Sequence, residues 1–483
     1  MQQTILTEFK RLDRMHNPLN MPIDSLYDIQ DFYIDKTNEF VQRNGLTKFN
    51  TTAITGTPIT YYVFEAKWNS GTKDIIIRAG TAWYKYDSVN SEFDSLDGSR
   101  TSNAQGQAVM FSNELIMVDG ATPRKCTSAY ALANLSADAS MPTDATAVHV
   151  HQKRVWLNST ANPMVAYFSK LNSANAADSW SATDDAGNLN LATVLPVGDT
   201  IIGYATFAEV YLVIFLKRFI VIYNVGTVAT DFHLQEIIPS GAVTIYANPT
   251  IGGDIVVPGT EGINTLRILA ETEDVNTDDL SYWVNPLYRE YLVSLTSSSW
   301  KYINGGFSHS LNHYYVFFPL TAGTEAIVFS LDHKAPVGRW VMGKKIYSFC
   351  ERENGTCLVG SDSGFVYTLN SGATDSGTAI EPAIITPFYF FAGGGNYFAA
   401  RELETEIEHT ATFTFKLDYV YDTQAGDTLT KSVSTNALNR TLLNVSGIFG
   451  RGRGVQFKLY HTASNRQITI PRWLVRHIPE GVK

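Results

Sequence analysis

Three apolar runs near the middle of the chain set a pattern that the rest of the sequence repeats. They are Ile201–Phe207, Val210–Leu216 and Phe219–Tyr223. All are rich in β-branched and aromatic residues, and the pairs Ala208-Glu209 and Lys217-Arg218 separate them. Because each run has strand length and each gap suits a hairpin, the stretch predicts a three-stranded antiparallel meander within one sheet. A fourth, edge strand is predicted at Phe232–Ile238.

A transmembrane helix is the alternative interpretation of this stretch. Lys217 and Arg218 interrupt the apolar residues, and no uncharged run approaches the roughly 20 residues that cross a bilayer. The N-terminal residues contain no apolar core of a signal peptide. We therefore expect no membrane insertion.

The pattern of a short strand, a polar turn and an apolar strand recurs along the chain. Its centres lie near Ile76, Leu115, Val155, Leu212, Ile255, Tyr315 and Leu358. Neighbouring centres are 39 to 60 residues apart, and the blades of four-stranded propellers repeat about every 40–50 residues. The sequence therefore predicts an all-β fold with a β-propeller of six or seven blades. The alternative is a series of unrelated hairpins in a β-sandwich.

Three segments are predicted: an N-terminal docking arm at 1–54, the propeller at 55–376 and a C-terminal β domain at 377–483. After Gly377 the sequence is punctuated by proline and glycine, and strand-like alternation follows. The alternating stretches are Ala411–Tyr421, Thr428–Ser434, Val455–His461 and Gln467–Ile470. They predict a separate antiparallel sheet or sandwich.

Two local features give sharper expectations. A helix is predicted outside the blades, with Asn285 as its cap and Pro286 in its first turn. The chain has 3 cysteines, too few for a disulfide framework, so we expect reduced thiols. A two-residue turn at Asn354-Gly355 predicts that Cys357 lies opposite Arg352.

Charge is distributed unevenly along the chain. Charged residues make up 17% of the sequence, below the roughly 25% of average proteins, and aromatic residues make up 12%. Such a composition suits a protein that works within an assembly. Residues 439–483 hold eight basic residues and one acidic, a net of +7, and the remaining 29 basic and 46 acidic residues give −17. The split indicates a role in contacts with partners or neighbouring subunits.

No catalytic constellation stands out, so we expect no enzyme activity, no catalytic residues, no cofactor and no metal. Gly360–Gly364 reads G-S-D-S-G, without the serine of a nucleophile elbow, and no phosphate-binding loop occurs. His149 and His151 share one face of a strand but lack a third ligand at a recognisable spacing. His309 and His313 flank a turn and are interpreted in the same way. A propeller glycosidase with carboxylates converging at its centre is the enzymatic alternative.

The sharpest charged feature is F-G-R-G-R-G-V at Phe449–Val455, in which two arginines sit on a glycine-rich turn. One interpretation is a flexible turn that faces phosphates or a partner's carboxylates, and the other is a solvated strand turn. The candidate residues for contact with an interface or with DNA phosphate are Arg440, Arg451, Arg453, Lys458, Arg466, Arg472 and Arg476. Because the whole chain is acidic, tight wrapping of nucleic acid is not expected.

The order of several motifs resembles the tail hub, or nozzle, proteins of short-tailed bacteriophages, also described as tail tube or DNA stabilisation proteins. The motifs are R-N-G-L-T-K-F at Arg43–Phe49, R-V-W at Arg154–Trp156, D-T-I-I-G-Y-A-T-F at Asp199–Phe207, G-R-W at Gly338–Trp340, E-N-G-T-C-L-V-G with G-F-V-Y-T-L at Gly364–Leu369, I-T-P-F-Y at Ile385–Tyr389, and F-G-R-G-R-G-V-Q-F-K-L near the end. They span nearly the whole chain. The resemblance carries no catalytic residues.

The resemblance implies a structural virion protein, assembled in the host cytoplasm, that forms a hexameric ring in the tail. Such a ring lies below the portal and its adaptor ring, extends the channel for double-stranded DNA, retains packaged DNA and docks tail fibres or a needle. An acidic body repeated around a ring would let DNA slide. The basic region is then expected against an acidic neighbour such as the adaptor ring, or, as the alternative, in one narrow basic collar. The main alternative is a carbohydrate-binding or protein-binding propeller that serves as an adhesion module.

Overall fold

The structure is a computed structural model that describes residues 2–6, 9–100, 104–182, 185–251, 253–266, 279–391, 396–409, 412–422, 429–434, 440–446, 448, 450–462 and 468–481. Strands dominate these ranges, together with the helix α1 (Asn285–Ser294). Short 3-10 turns lie at Leu191–Thr193, Ala229–Asp231, Tyr282–Val284 and Ser297–Tyr302. Over the same ranges, no helix combines the length and the apolar character that crossing a bilayer requires.

Seven short strands precede the blades. They are β1 (Gln2–Leu6), β2 (Arg11–Leu12), β3 (Ser25–Leu26), β4 (Asp28–Gln30), β5 (Phe32–Ile34), β6 (Phe40–Gln42) and β7 (Leu46–Lys48). β2 and β3 pair with each other in parallel, whereas the other five join sheets that are formed mainly by later parts of the chain. The N-terminal segment is thus built into the fold through main-chain hydrogen bonds.

Four blades follow, each an antiparallel sheet of four sequential strands. The first has β8 (Thr60–Lys67), β9 (Lys73–Ala79), β10 (Ala82–Asp87) and β11 (Glu92–Asp97). The second has β12 (Gln107–Phe111), β13 (Glu114–Val118), β14 (Arg124–Cys126) and β15 (Leu132–Asn134). The third has β16 (Val148–His151), β17 (Arg154–Leu157), β18 (Val165–Phe168) and β19 (Gly187–Asn190). The fourth has β20 (Ile201–Phe207), β21 (Tyr211–Leu216), β22 (Ile220–Asn224) and β23 (His233–Ile238).

A three-stranded sheet and two further blades complete the circle. The sheet has β24 (Thr250–Ile251), β25 (Asp254–Pro258) and β26 (Ile263–Thr265). The next blade has β27 (Asn304–Ser308), β28 (His313–Pro319), β29 (Thr324–Ser330) and β30 (Ala335–Met342). The last has β31 (Ile346–Glu351), β32 (Cys357–Ser361), β33 (Val366–Leu369) and the N-terminal β7. The described residues thus form six four-stranded blades and one sheet of three strands, which confirms the predicted β-propeller.

The fourth blade confirms the predicted meander. β20, β21 and β22 pair in sequence, and β23 forms the predicted edge strand. Between β20 and β21, Ala208 and Glu209 have φ angles of 47° and 64°. Phe207 is opposite Tyr211, so a three-residue loop joins the two strands, which is a common hairpin connection. The three strands therefore lie in one sheet.

The propeller is closed by contacts between the last and first blades and by the N-terminal strand β7. The Ser348 hydroxyl in β31 donates to the carbonyl oxygen of Thr60 in β8, at 3.0 Å. β7 pairs with β33, so the outer strand of the last blade comes from the start of the chain.

The C-terminal strands lie in one further sheet and in extensions of the last two blades. The remaining strands are β34 (Thr374–Asp375), β35 (Thr378–Ala379), β36 (Ala383–Ile385), β37 (Tyr397–His409), β38 (Thr414–Tyr421), β39 (Leu429–Ser434), β40 (Arg440–Ser446), β41 (Val455–Tyr460) and β42 (Ile468–Gly481). One sheet has the order β40-β37-β42-β6-β5 with β1 on β42, and β4, β36, β41, β38 and β39 extend the β27–β30 blade. β34 and β35 extend the last blade beyond β7. The additional β structure predicted at the C-terminus is present, and N-terminal strands complete it. The borders at 54 and 376 stay a prediction.

Two local predictions need correction. Asn285 is the first residue of α1 and not its cap; Val284 precedes the helix, and the Asn285 amide oxygen accepts a hydrogen bond from the Arg289 Nε at 3.2 Å. Cys357 lies opposite Glu351 and not Arg352. The Arg352 N–H donates to the carbonyl oxygen of Thr356 at 2.8 Å, so Glu353 joins Asn354 and Gly355 in a three-residue turn, and this added residue shifts the register by one position.

Two arginines with little exposure, Arg43 and Arg339, join segments that are far apart in sequence. Arg43 binds Asp31 at 2.6 Å and Asp375 at 2.6 Å, and its Nη2 also donates to the carbonyl oxygen of Val341. Arg339 in β30 binds Asp28 at 2.8 Å. Because a buried charge needs partners, each such arginine fixes the position of the strands that supply its carboxylates.

Candidate basic interface

The glycine-rich turn that contains Arg451 and Arg453 is anchored on both sides. Phe398 and Gly452 exchange two main-chain hydrogen bonds, at 2.9 and 3.2 Å. On the other side, the carboxylate of Asp422 accepts from the main-chain amides of Arg453 and Gly454 at 2.8 and 3.0 Å. The flexible turn considered from the sequence is therefore held in a defined position between β37 and β38.

Close approach explains why glycine occupies this turn. Gly450 has a φ of 136°, and a Cβ built there would lie 2.3 Å from the Tyr421 ring. A Cβ at Gly452 would lie 2.7 Å from an oxygen of Asp422. The glycines thus let the main chain lie directly on Tyr421 and Asp422, and the intervening arginines extend from a fixed backbone.

The two arginine side chains have different surroundings. Arg453 lies 3.4 Å from Asp422 Oδ2, and its side chain is 52% exposed. The Arg451 guanidinium lies 4.8 Å from the centre of the Tyr397 ring. A guanidinium has five N–H donors, so Arg453 keeps donors for a further ligand beside Asp422. Phe390, 37% exposed, lies next to the turn and contacts the position of Gly454.

Glutamates of β37 lie opposite three of the other candidate arginines. Arg476 binds Glu402 at 2.6 Å and Glu404 at 3.0 Å, and the hydrogen bond to Glu402 with the charges of both glutamates raises the pKa of Arg476. In the strand register, Glu406 is opposite Arg472 and Glu408 is opposite Arg440. The glutamates of β37 lie outside residues 439–483, over which the net charge of +7 was counted. They therefore offset part of that positive charge locally.

The remaining candidates are placed as follows. Lys458 in β41 has its ammonium 4.8 Å from the centre of the Tyr460 ring. The side chains of Arg440 and Arg472, and the whole of Arg466, lie outside the described residues. Among the candidates whose side chains are described, only Arg451 and Arg453 share one turn. Their role in binding stays a prediction.

The histidine pair of β16 contacts a hydroxyl of the next blade. Thr206 Oγ1 lies 2.8 Å from His149 Nε2 and 3.0 Å from His151 Nδ1. Burial lowers the pKa of each histidine to about 4, so both are neutral at neutral pH. Within the described ranges, no three His, Cys, Asp or Glu residues are grouped to hold a metal ion.

A cavity of about 220 Å³ lies between the first strands of several blades, lined in part by Tyr62, Gln107, Tyr246, Asn248 and Ser348. Its lining is aromatic and neutral, and no carboxylate contributes to it. A pair of catalytic carboxylates, the enzymatic alternative considered from the sequence, does not line this cavity.

Comparisons with known proteins return structural similarity alone. No family model matches the chain, and no curated protein matches it. Similar solved structures include the extracellular domain of a hybrid two-component system from B. thetaiotaomicron (TM-score 0.44, 9% identity, 67% of this chain and 40% of that chain). A streptogramin B lyase (0.41, 8%, 68% and 97%) and the computationally designed Ika8 protein (0.40, 10%, 67% and 99%) are also similar. At these values the similarity carries no argument about function.

Proposed function

We propose that the protein is a non-catalytic structural subunit of a virus particle, and that it forms a hexameric ring in the tail of a short-tailed bacteriophage. The proposal rests on the order of motifs from Arg43 to the basic turn, which resembles tail hub proteins. In this role the ring lies in the virion tail, is assembled in the host cytoplasm, binds the portal-adaptor ring and docks tail fibres or a needle.

The observation that carries a docking role is the anchored turn with Arg451 and Arg453. Arginine next to an exposed aromatic residue is a common combination at the energetic centre of protein interfaces. Here Phe390 lies beside the turn, and Arg453 is half exposed on a main chain that Asp422 holds in place. A preformed site of this kind loses little conformational entropy on binding. We therefore assign the turn to contact with acidic residues of a neighbouring ring.

In this proposal, DNA passes through the central bore that the six subunits surround, and not through the middle of any one propeller. The cavity between the first strands of several blades, about 220 Å³, is far too small to hold a duplex. A bore surrounded by six copies with acidic bodies would repel phosphates and let the duplex slide, since each phosphate that is neutralised adds salt-dependent affinity. The net of −17 in residues 1–438 supplies the charge for such a bore.

Replacing both Arg451 and Arg453 by alanine is expected to reduce attachment of the ring to its neighbour and to leave monomer folding intact. Arg453 supplies an exposed ion pair and Arg451 a ring contact, and interactions of these kinds contribute about 1 kcal/mol or less each. The measurement is the yield of tail-complete particles over a series of salt concentrations, with a thermal melt of the monomer.

The matched control is Lys217→Ala with Arg218→Ala, which removes two basic side chains from a turn of the fourth blade. The side chain of Arg218 is 53% exposed and lies beside an aspartate, and that of Arg453 is 52% exposed in the same situation. Particle yield should stay at the parent level in this control. Parent-level yield in the Arg451/Arg453 variant at every salt concentration would remove the proposed docking role.

The proposed hexamer leads to a separate prediction about copy number and symmetry. We expect six copies related by rotational symmetry in the native particle, with the basic region of each copy at the contact with the adaptor ring. Electron microscopy of tails would measure both the copy number and the symmetry. A single copy without rotational symmetry would contradict the ring and leave the propeller fold untouched.

A further inference from the structure

A pocket of about 310 Å³ lies where the last two blades meet the N-terminal segment. Its volume falls at the lower end of the range that small-molecule sites occupy. It is lined by Tyr33 and Asn44 from the N-terminal segment, by the β27–β28 and β31–β32 turns, and by the residues that end and follow β33. Four separate parts of the chain therefore form its walls.

The lining of this pocket is polar but carries no charge. It consists of Tyr33, Asn44, Ser308, Ser310, Leu311, Gly355, Thr356, Cys357, Thr368, Leu369, Asn370 and Ser371. Burial raises the pKa of the Cys357 thiol to about 11 and that of the Tyr33 hydroxyl to about 12, so neither ionises at neutral pH. A charged ligand would find no counterion here, and a purely apolar ligand would leave many polar groups without partners.

Several of these polar groups have hydrogen-bonding capacity to spare. Within the described residues, the hydroxyls of Thr356, Thr368 and Ser371 have no hydrogen-bond partner. Asn370 donates to the Tyr315 hydroxyl at 3.2 Å and keeps its amide oxygen for another donor. Neutral donors and acceptors in this number suit a ligand that itself carries several hydroxyl groups.

The apolar parts of the wall suit the same class of ligand. Tyr33 packs its ring edge-on against His313, with the ring centres 4.9 Å apart, and Leu311 and Leu369 also face the pocket. A sugar ring presents C–H groups on its faces and hydroxyl groups around its rim, so it matches a wall with an aromatic ring and side-chain hydroxyls. Water alone would use the hydroxyls but not the apolar surface.

A second pocket, of about 410 Å³, lies between the first and last blades and does not share this chemistry. Its charged groups are already paired, since Lys67 binds Glu353 and Arg352 binds Glu65 at 3.0 Å. Charged side chains that already form ion pairs have few donors and acceptors left for a ligand. The uncharged pocket is therefore the stronger candidate.

We propose that the uncharged pocket binds one neutral saccharide unit of hexose size. The proposal is independent of the ring, since it rests on side chains of a single subunit. Thr368 and Ser371 donate and accept at the sugar hydroxyls, and the Tyr33 ring supports one face. This site would give the protein a contact with glycans that is separate from the basic turn.

The test is saturation-transfer NMR and calorimetry on the full chain, with glucose, galactose, mannose and N-acetylglucosamine as probes. We expect at least one of them to bind with a dissociation constant on the order of 1 mM. Thr368→Val and Ser371→Ala each remove one hydroxyl and should weaken binding about fivefold, as the loss of one neutral hydrogen bond implies. The double variant should lose about 25-fold if the two contacts are independent.

Thr47→Val is the matched control, because Thr47 is directly opposite Thr368 in the β7–β33 pair but does not line the pocket. It should bind as the parent does, and a thermal melt of each variant checks folding. If Thr368→Val fails to fold, Ser371→Ala alone decides. The proposal is overturned if no probe binds, if glucuronate binds better than every neutral sugar, or if the control weakens binding as much as the pocket variants.

Discussion

Arg43→Ala is expected to lower the free energy of unfolding by about 3–5 kcal/mol, because it leaves Asp31 and Asp375 buried without their cation. The Arg43 side chain is fully buried, and both carboxylates lie 2.6 Å from it. Burial alone would lower the pKa of Arg43, but the two aspartates raise it above its usual value, so the guanidinium stays charged. Chemical denaturation followed by fluorescence would measure the loss.

Arg289→Ala is the control for this prediction. Arg289 also pairs with a carboxylate, that of Glu261, but the side chains are 53% and 73% exposed. Water screens such a pair, and its removal should cost less than about 1 kcal/mol. Equal losses in the two variants would show that burial does not set the contribution of these ion pairs.

The Arg43 junction also shows why the sequence predicts some parts of this fold and not others. The fourth blade is predictable because its strands follow one another and short turns join them; the observed β20 has the predicted bounds, and β21 and β22 begin one residue later than predicted. Arg43, in contrast, lies in the R-N-G-L-T-K-F motif, and nothing local in that motif indicates that Asp375 is its partner. Contacts between residues that are so far apart in sequence form only when the whole propeller closes.

The same distinction applies to the candidate site. A charge count along the chain identifies the basic C-terminal residues, but the pairing of β37 with β42 and β40 decides which of them have carboxylates opposite. The alternating glutamates at 402–408 were a visible signal of a strand with one acidic face. Only the register links that face to Arg476. The hairpin that contains Cys357 also shows that register is not visible in the sequence. One added residue in its turn changes every cross-strand pair between β31 and β32.

Acidification is expected to destabilise the propeller between about pH 6.5 and about pH 4, because buried histidines are held neutral. Burial lowers the pKa of His149, His151 and His313 to about 4, against about 6.5 in an unfolded chain. In this window the unfolded state binds protons that the folded state does not, so stability is full above about pH 6.5 and falls as the pH decreases. A single histidine of this kind accounts for up to about 3 kcal/mol.

His313→Phe isolates one of these groups, since phenylalanine keeps a ring against Tyr33 and Tyr315 and cannot be protonated. Asp332 raises the His313 pKa and His333 lowers it, but burial has the largest effect, so the variant should lose less stability on acidification than the parent. His233→Phe is the control, because His233 is exposed and its ring meets water in both states. Urea midpoints measured across the pH range would compare the three proteins. An acid dependence in His313→Phe as steep as that of the parent would mean that His313 is already protonated in the folded chain, or that other groups control acid unfolding.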